Sequence, residues 1–347
     1  VTGSHLLKDY GYSAQEIIDD GFTISKKVEM FKGDFDTPLG MAKASARCTK
    51  GVAIALSETN PDIVLITCDR VETLASITAA SLMNFPIAHI QGGEVTGTID
   101  ESLRHAVTKL SHIHFPATDD AAQRIINMGE NKKYVFNTGC PYIDEIIKFT
   151  PVDRKSLGLK YGFDPKKEII IFTQHSVTTE FEDSLDQVEQ TIEALEDFSD
   201  FQIMCFFSNT DAGGKKIIKR ISKQENFITT PNMLSSDFLS FMHHASLMIG
   251  NSSAGIREAP SFKLPVINIG SRQNGRLRAA NVIDVSHNAN EIKAAISKCL
   301  YDDSFKESLS NLDNPYGNGN AANKIVNILQ DIKLNRDLIQ KEICYDL

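Results

Sequence analysis

The sequence predicts an α/β protein with two parallel sheets and crossover helices, one sheet in each half of the chain. Three observations support this fold class. Short apolar runs rich in β-branched residues alternate with longer stretches of helical spacing. The chain has 347 residues, which is the length of two domains at roughly 150 residues each. Its 41% hydrophobic and 23% charged residues are typical of a globular protein with packed cores.

The first half, residues 1–150, is expected to form one Rossmann-like domain. A helical stretch over 42–59 ends at Pro61, because proline cannot continue the helix. Further helical stretches separate the strand candidates, which are 62–67, 86–90, 112–116 and 134–137.

The second half repeats this alternation and is expected to form a second Rossmann-like domain over 151–332. The polar segment 149–167 carries two prolines and marks the boundary between the domains. The tail, 333–347, has a helical pattern and is expected to pack back on the first domain. The predicted strands are 168–173, 202–207, 247–250 and 266–269, and the predicted helices begin near Glu182, Ala212, Asp237 and Ala254.

Charge and composition exclude several classes of protein. The 36 lysine and arginine residues are outnumbered by 45 acidic residues, and the formal charge of -9 disfavours a nucleic-acid-binding protein. The longest apolar runs, such as 63–66 and 169–172, fall far short of the ~20 residues needed to cross a bilayer. The six cysteines are far apart, and no charged-then-apolar leader opens the chain. We therefore expect a cytoplasmic protein with reduced thiols and no membrane partner.

Polar side chains follow the predicted strands at the points where those strands end. In open α/β sheets ligands bind beyond the carboxyl ends of the strands, so these positions are the candidate site. Since both halves contribute, we expect the polar groups to face one ligand cleft between the two domains. The positions are Asp69 and Arg70, Gln91 to Asp100, His175, Asn209 to Asp211, and Asn251 to Glu258.

The turn of small residues after the strand 247–250 is the predicted phosphate seat. Ser252, Ser253 and Gly255 allow close approach of the backbone, and the helix that follows offers amide donors and a partial positive charge. Glu258 lies in the same helix and is able to accept hydrogen bonds from ribose hydroxyls. The alternative is that Ser252 only caps the helix and Glu258 completes the cap.

Three carboxylates, Asp69, Glu94 and Asp100, are candidates for proton transfer. Burial and mutual repulsion can separate the pKa values of clustered carboxylates into acid and base roles. Alternatively, Asp100 caps a helix beginning at Glu101, and Glu94 is a solvated loop residue. His175, at the end of a strand, is a candidate to stabilise a diphosphate or to protonate a leaving group.

Histidines and a cysteine in the first half raise two further possibilities. Four histidines could suggest a metal site, but no metal-binding motif is present and structural roles are favoured. Cys140 has no activating base nearby in the sequence and is interpreted as a packing residue. The histidines are His89, His105, His112 and His114.

Several segments together resemble a known family. Residues 89–112, which begin HIQGGEVTGTID, and residues 250–258 closely resemble the hydrolysing UDP-N-acetylglucosamine 2-epimerases of sialic acid biosynthesis. The resemblance covers nearly the whole chain in the expected order. The other matching segments are 68–70, 175–180, 209–213, 269–276 and 314–319.

This resemblance implies the two-domain GT-B fold, with UDP held mainly by the second domain and the sugar turned toward the first. It implies conversion of UDP-N-acetylglucosamine to N-acetylmannosamine and UDP, with no metal or nicotinamide cofactor, and a homodimer. By position, Asp69 and Asp100 match the family's catalytic carboxylates. Its nucleotide contacts are matched by Arg70, His175, Asn209, Ser252, Ser253, Glu258 and Arg272.

The chain departs from the family pattern at two places. Gln91 stands where many relatives carry a catalytic glutamate, and because an amide cannot act as a base, Glu94 or an aspartate must cover that role. Relatives also begin with a strand and a loop that carries a basic UDP contact. This sequence opens at Val1 in a segment similar to the end of their second strand, so an incomplete first sheet is expected.

The implied mechanism is elimination followed by hydration. Asp100 or Glu94 takes the C2 proton as UDP leaves C1, a 2-acetamidoglucal forms, and Asp69 serves the return of a proton to C2. Four alternatives remain open. They are a hydrolysing UDP-N,N'-diacetylbacillosamine 2-epimerase, a non-hydrolysing UDP-N-acetylglucosamine 2-epimerase, a non-catalytic UDP-sugar-binding protein and a related glycosyltransferase.

Overall fold

The computed structural model describes residues 1–33, 35–67, 69–177, 179–207, 213–230 and 233–345. The chain divides into two compact units, the first formed by residues 1–8, 12–147 and 316–347 and the second by residues 9–11 and 148–315. None of the helices formed by the described residues is long and apolar enough to cross a membrane.

The secondary structure alternates between strands and helices as the sequence predicts. The strands are β1 (Val64–Thr67), β2 (Ile87–Ile90), β3 (Ile113–Phe115), β4 (Ile169–Thr173), β5 (Gln202–Phe206), β6 (Phe227–Thr230), β7 (Leu247–Gly250), β8 (Val266–Ile269) and β9 (Val282–Val285). The helices are α1 (Ala14–Asp19), α2 (Pro38–Thr59), α3 (Val71–Leu82), α4 (Asp100–Leu110), α5 (Asp119–Asn127), α6 (Pro141–Lys148), α7 (Arg154–Tyr161), α8 (Ser184–Glu196), α9 (Gly214–Ile221), α10 (Ser235–His244), α11 (Ala254–Arg257), α12 (Ala289–Tyr301), α13 (Asp303–Ser308), α14 (Ala321–Asp331) and α15 (Arg336–Ile339).

The first unit contains a parallel sheet in the order β1-β2-β3. Its register sets Ile66 opposite His89 and His89 opposite His114. On one face, Ile77 of α3 and Val107 of α4 pack against Ile66 and Ile87 in an apolar core. The carboxyl ends of β1 and β2 therefore lie side by side, directly before the segments that carry the candidate carboxylates.

The fourth strand predicted in the first half, 134–137, was wrong. The segment starts in a 3-10 turn, Lys132–Tyr134, and makes a single parallel bridge, between His114 and Val135. The Phe136 amide donates to the His114 carbonyl at 2.9 Å, but the pairing stays an isolated bridge and does not extend into a strand.

The chain returns to the first unit earlier than predicted. Helix α14 was assigned to the second domain, but Ile325, Ile328 and Leu329 pack on the face of the first sheet that carries Phe115. The first turn of α14 is tethered as well, because the backbone amides of Ala321 and Ala322 donate to the Asp144 carboxylate at 2.8 and 2.7 Å.

The tail packs on the first unit as predicted, but its helix is shorter than expected. Within 333–345 only the four residues of α15 are helical, and Leu338 joins the core of the first unit. Lys341, which follows α15, is also fixed, because its ammonium donates to the carbonyls of Lys109 and Ser111 at 2.7 and 2.6 Å. Residues 341–345 are not helical.

The second unit contains a six-stranded parallel sheet in the order β6-β5-β4-β7-β8-β9. Its central strands β4 and β7 are buried along their whole length, as expected for a parallel sheet covered on both faces. The four strands predicted in this half are confirmed at β4, β5, β7 and β8. The two edge strands, β6 and β9, were missed because they are partly polar and only partly buried.

Candidate active site

Asn251 joins two strand-end loops of the second unit. It follows Gly250, the last residue of β7, whose φ of +129° and contact with the Thr173 carbonyl leave no room for a side chain. The Asn251 side chain is 1% exposed. Its Oδ1 accepts from the His175 amide at 2.7 Å, and its Nδ2 donates to the His175 carbonyl at 2.9 Å. His175, after β4, is thereby fixed beside the turn after β7.

The loop after β8 is attached to the same residue. The Arg272 guanidinium donates to the Asn251 carbonyl at 3.1 Å, and the Gln273 amide donates to the same oxygen at 2.8 Å. Three of the predicted nucleotide contacts, His175, Ser252 and Arg272, are thus brought together at one end of the sheet. Asn251 was included among the positions after the predicted strands, but sequence reasoning gave it no role of its own.

Ser252 and Ser253 form the entry to the short helix α11. The Ser252 hydroxyl accepts from the Ala254 amide at 3.3 Å, but the capping position of α11 is occupied by Ser253 and not by Ser252. Glu258 does not complete a cap, because it follows the last residue of α11 and lies 3.6 Å from the Arg257 guanidinium. The Glu258 side chain is buried, at 6% exposure. The alternative in which Glu258 caps this helix was therefore wrong.

Gly255 has a packing role in the second unit. A Cβ atom at this position would lie 2.7 Å from a methyl group of Val266. The absence of a side chain lets α11 rest directly on β8. A contact between Gly255 and the ligand stays a prediction.

The first unit brings two of its candidate carboxylate residues around a buried arginine. Arg104, in α4, is 1% exposed. One end of its guanidinium forms an ion pair with the Asp69 carboxylate, and the other donates to the Glu94 carbonyl at 2.8 Å. Asp100 lies one helical turn before Arg104, on the same face of α4. Sequence reasoning missed Arg104, for which the available signal was its spacing of four residues from Asp100.

Two alternatives for the carboxylates are excluded by their surroundings. Glu94 is 5% exposed and is therefore not a solvated loop residue. Helix α4 begins at Asp100 itself, with Ile99 in the capping position, so Asp100 does not cap a helix that starts at Glu101. Both residues remain candidates for proton transfer.

Gln91 begins the turn that leads from β2 to Glu94. It has a positive φ of +63°, and its side chain is 7% exposed. The Gln91 amide nitrogen donates to the Cys140 sulfur at 2.7 Å. The buried Cys140 thus serves as a packing and hydrogen-bonding partner, which agrees with its interpretation as a structural thiol.

The two other predicted nucleotide contacts are Arg70 and Asn209. Arg70 follows β1 in the first unit and lies 3.6 Å from the Glu72 carboxylate. Asn209 falls outside the residues that the structure describes, as does Asp211.

The histidines of the first half have partners within the fold. The ring Nδ1 of His112 accepts from the Ile87 amide at 3.1 Å, and His114 lies 3.1 Å from the Glu130 carboxylate. Burial lowers the pKa of His112 to about 4 and also lowers that of His114. Among the described residues, no three His, Cys, Asp or Glu side chains are grouped so that they could hold a metal ion. The remaining pairs are His89 with Thr108 and His105 with Glu101.

Comparison with known proteins identifies the family to which the chain belongs. A family model described as UDP-N-acetylglucosamine 2-epimerase matches residues 1–330. The chain is 36% identical over 344 residues to a UDP-N,N'-diacetylbacillosamine 2-epimerase (hydrolyzing) from Legionella pneumophila, covering 98% of this chain and 89% of the relative. It is 33% identical over 301 residues to a UDP-N-acetylglucosamine 2-epimerase from Neisseria meningitidis, covering 86% and 78% of the two chains.

A solved structure supports the fold. The crystal structure of UDP-GlcNAc 2-epimerase from Neisseria meningitidis bound to UDP-GlcNAc is similar to this chain with a TM-score of 0.78 at 20% identity. The similarity covers 92% of this chain and 89% of that structure. It confirms the predicted α/β fold of the GT-B type, with two Rossmann-like units.

Proposed function

Because the chain belongs to the UDP-N-acetylglucosamine 2-epimerase family, we propose that it is a hydrolysing 2-epimerase of a UDP-linked 2-acetamido sugar. It releases UDP and the free sugar with inverted configuration at C2. With UDP-N-acetylglucosamine as the substrate, the sugar is N-acetylmannosamine, a precursor for sialic acid. The observation that carries this proposal is the arrangement of Asp69 and Glu94 around Arg104, with Asp100 one turn away.

The proposal assigns UDP to the loops that meet at Asn251. The chain has a formal charge of -9, so an anionic ligand needs local donors. His175, Arg272 and the amides at the Ser252–Ser253 turn supply such donors for the diphosphate. The buried Glu258 carboxylate is assigned to the ribose hydroxyls. Arg70, Gln91 and Asn209 remain proposed substrate contacts from the resemblance.

The first chemical step is the departure of UDP. The bond between C1 and the diphosphate oxygen breaks, and Asp100 or Glu94 takes the proton from C2, which leaves a 2-acetamidoglucal. Because the C2 proton is only weakly acidic, the diphosphate leaves early and its charge is stabilised by His175 and the Ser252–Ser253 turn. Leaving-group stabilisation is therefore the main contribution of the second unit.

The second step is hydration of the glucal. Water adds at C1, and a proton is added at C2 from the opposite face, a step that the proposal assigns to Asp69. Arg104 orients Asp69 through the ion pair between their side chains. The proton that Asp69 delivers to C2 comes from solvent. The released sugar then carries a solvent-derived hydrogen at C2.

Two substrates are candidates for this chemistry. UDP-N-acetylglucosamine is the first, since the family bears its name. UDP-N,N'-diacetylbacillosamine is the second, and the relative from Legionella pneumophila that is named for it favours this alternative. The two sugars differ at C4 and C6, away from the bonds that change.

Product analysis with both substrates tests the proposal. The full chain is incubated with each UDP-sugar separately, and UDP and the free sugar are followed by NMR. We expect equal amounts of UDP and of free 2-epimerised sugar from at least one substrate. Formation of a UDP-linked epimer without loss of UDP would identify a non-hydrolysing enzyme. Binding without any product would indicate a binding protein, and turnover only with an added acceptor would indicate a glycosyltransferase.

A matched pair of variants tests the role of Asp100. Asp100→Asn removes the carboxylate from the first turn of α4 and should lower sugar release at least about 100-fold, the usual scale for a general acid or base. Asp186→Asn makes the same change in the first turn of α8, where the side chain is exposed. That control should retain full activity. Equal activity of both variants would remove Asp100 from the mechanism.

The proposal includes a homodimer, which the family resemblance implies. Light scattering of the full chain should then give about twice the chain mass of 38.4 kDa. A mass equal to one chain would contradict this part of the proposal and leave the chemistry unaffected.

A further inference from the structure

Glu180 links two loops of the second unit and has no role in the mechanism above. It ends the segment 175–180 that begins at His175 after β4. One oxygen of its carboxylate accepts from the Ser271 hydroxyl at 2.7 Å, and the other accepts from the Gln187 amide at 2.8 Å. Ser271 lies in the loop after β8, immediately before Arg272. The carboxylate thus connects the loop that carries His175 with the loop that carries Arg272.

His287 supports the same loop through a different contact. It follows β9, and its ring lies directly against Gly270, which has a φ of +74°. A Cβ atom at Gly270 would be 2.2 Å from the ring Nε2 of His287. Both ring nitrogens are buried, and neither has a hydrogen-bond partner among the described residues. Gly270 is therefore held by packing and Ser271 by a hydrogen bond.

These contacts matter because of the residue that comes next. Arg272 donates to the Asn251 carbonyl, and His175 is bonded to the Asn251 side chain. The two loops are therefore joined twice, once at Asn251 on the side of the predicted diphosphate contacts and once at Glu180. A loop held at both points cannot move its arginine away from the histidine without breaking a hydrogen bond.

We propose that Glu180 is a positioning residue of the UDP site, which couples the loop of His175 to the loop of Arg272 through its bond to Ser271. This inference rests on the proposed function, because the ligand held by the two loops is taken to be UDP. Glu180 does not touch the ligand. It acts by holding Arg272 at the distance from His175 at which both side chains reach the diphosphate.

A double-mutant cycle separates this coupling from two independent effects. UDP binding to the full chain is measured by calorimetry for Glu180→Ala, for Ser271→Ala and for the double variant. Each single change should weaken UDP binding about tenfold, since each removes the same charge-assisted hydrogen bond. UDP binding to the double variant should also be weakened no more than about tenfold relative to the unmodified chain, because the bond can be lost only once. A hundredfold loss in the double variant would overturn the inference.

Rescue and control variants exclude a merely structural role. Glu180→Gln keeps an acceptor oxygen for Ser271, and Gln187 can turn its amide to accept from the new side chain. UDP affinity should return to within about threefold of the original. Glu182→Ala removes an exposed carboxylate in the neighbouring 3-10 turn, Phe181–Asp183, and should change nothing. A loss of affinity in Glu180→Gln as large as in Glu180→Ala would contradict the coupling.

The same experiment distinguishes failure of the role of Glu180 from failure of the proposed function. If the unmodified chain binds UDP and the variants bind it equally well, the role of Glu180 fails and the proposed function stands. If the unmodified chain does not bind UDP, the proposed function fails. Hydrogen exchange of residues 269–276 without ligand then still tests the coupling, which predicts faster exchange in Glu180→Ala. Unchanged exchange would overturn it.

Discussion

The two units position their candidate residues by different means. In the second unit a neutral residue, Asn251, joins three loops, because its side chain bonds both backbone groups of His175 and its backbone carbonyl accepts from Arg272. In the first unit a buried cation, Arg104, holds the Asp69 carboxylate and the Glu94 carbonyl. A neutral centre orders donors without adding charge of its own. A buried cation instead fixes the position of a carboxylate, which suits the chemistry assigned to each unit.

The largest effect is expected at Arg104. Arg104→Met removes the cation and leaves the Asp69 carboxylate without its ion-pair partner in a poorly solvated position. The free energy of unfolding should fall by about 3–5 kcal/mol, the usual cost of breaking a buried pair. Sugar release should fall at least about 100-fold, because Asp69 loses its orientation. Urea unfolding and the rate of sugar release measure the two effects.

A partly exposed ion pair provides the control for Arg104. Arg220 pairs with the Glu189 carboxylate at the surface of the second unit. Arg220→Met should change the free energy of unfolding by less than about 1 kcal/mol and leave activity intact. If Arg104→Met behaves like Arg220→Met, the buried cation does not organise the first unit.

A smaller effect, measured on ligand binding, is expected at Asn251. Asn251→Asp keeps the size of the side chain but removes the Nδ2 donor, so that an oxygen faces the His175 carbonyl. UDP binding should weaken about tenfold or more, as expected for loss of a buried hydrogen bond and a new repulsion. Calorimetry with UDP measures this change.

Asn281 offers a control of identical chemistry for Asn251. It is fully buried next to the amino end of β9, where its Nδ2 donates to the Leu264 carbonyl at 2.8 Å. Asn281→Asp should lower stability without changing the affinity of the folded protein for UDP. Equal losses of UDP affinity in both variants would show that Asn251 acts only through general stability.

A third effect concerns the pH dependence of the stability of the first unit. Burial lowers the pKa of His112 from its ordinary value of 6.5 to about 4, so the folded protein holds the ring neutral where the unfolded chain is protonated. Protonation of the ring in the unfolded chain therefore lowers the free energy of unfolding. This free energy has its full value above pH 6.5 and falls as the pH is lowered toward 4. The free energy of unfolding should fall by roughly 2–3 kcal/mol over this pH range. Thermal unfolding at a series of pH values measures the change.

His112→Asn tests this assignment, because asparagine can still accept from the Ile87 amide but does not titrate. Its stability should fall less between pH 6.5 and pH 4 than that of the unmodified chain. The same slope in both proteins would assign the pH dependence to other groups.

The central strands of the second sheet could be predicted from the sequence, whereas its two edge strands could not. Strands β4 and β7 are buried on both faces and appear in the sequence as continuous apolar runs. Strand β9, by contrast, contains Asp284 and is only partly buried, so its pattern does not differ from that of a loop. The unit to which α14 belongs depends on tertiary contacts with the first sheet, which local sequence patterns do not reveal.

The site shows the same division between what is local and what is not. His175 and Ser252 were identified by their place after predicted strands, and Arg272 was identified by the family resemblance. The structure brings the three together. Arg104 and Asn251 were missed as organising residues because their roles lie in contacts with groups far away in the chain. An arginine in a helix is usually a solvated charge, and only its burial to 1% exposure shows otherwise.

The most direct test of the account is incubation of the full chain with UDP-N-acetylglucosamine and with UDP-N,N'-diacetylbacillosamine in heavy water. Elimination followed by hydration predicts that the free sugar released from the accepted substrate carries deuterium at C2, as read by proton NMR. Release of a free sugar that retains its original hydrogen at C2 would contradict the proton transfer assigned to Asp69 and Asp100.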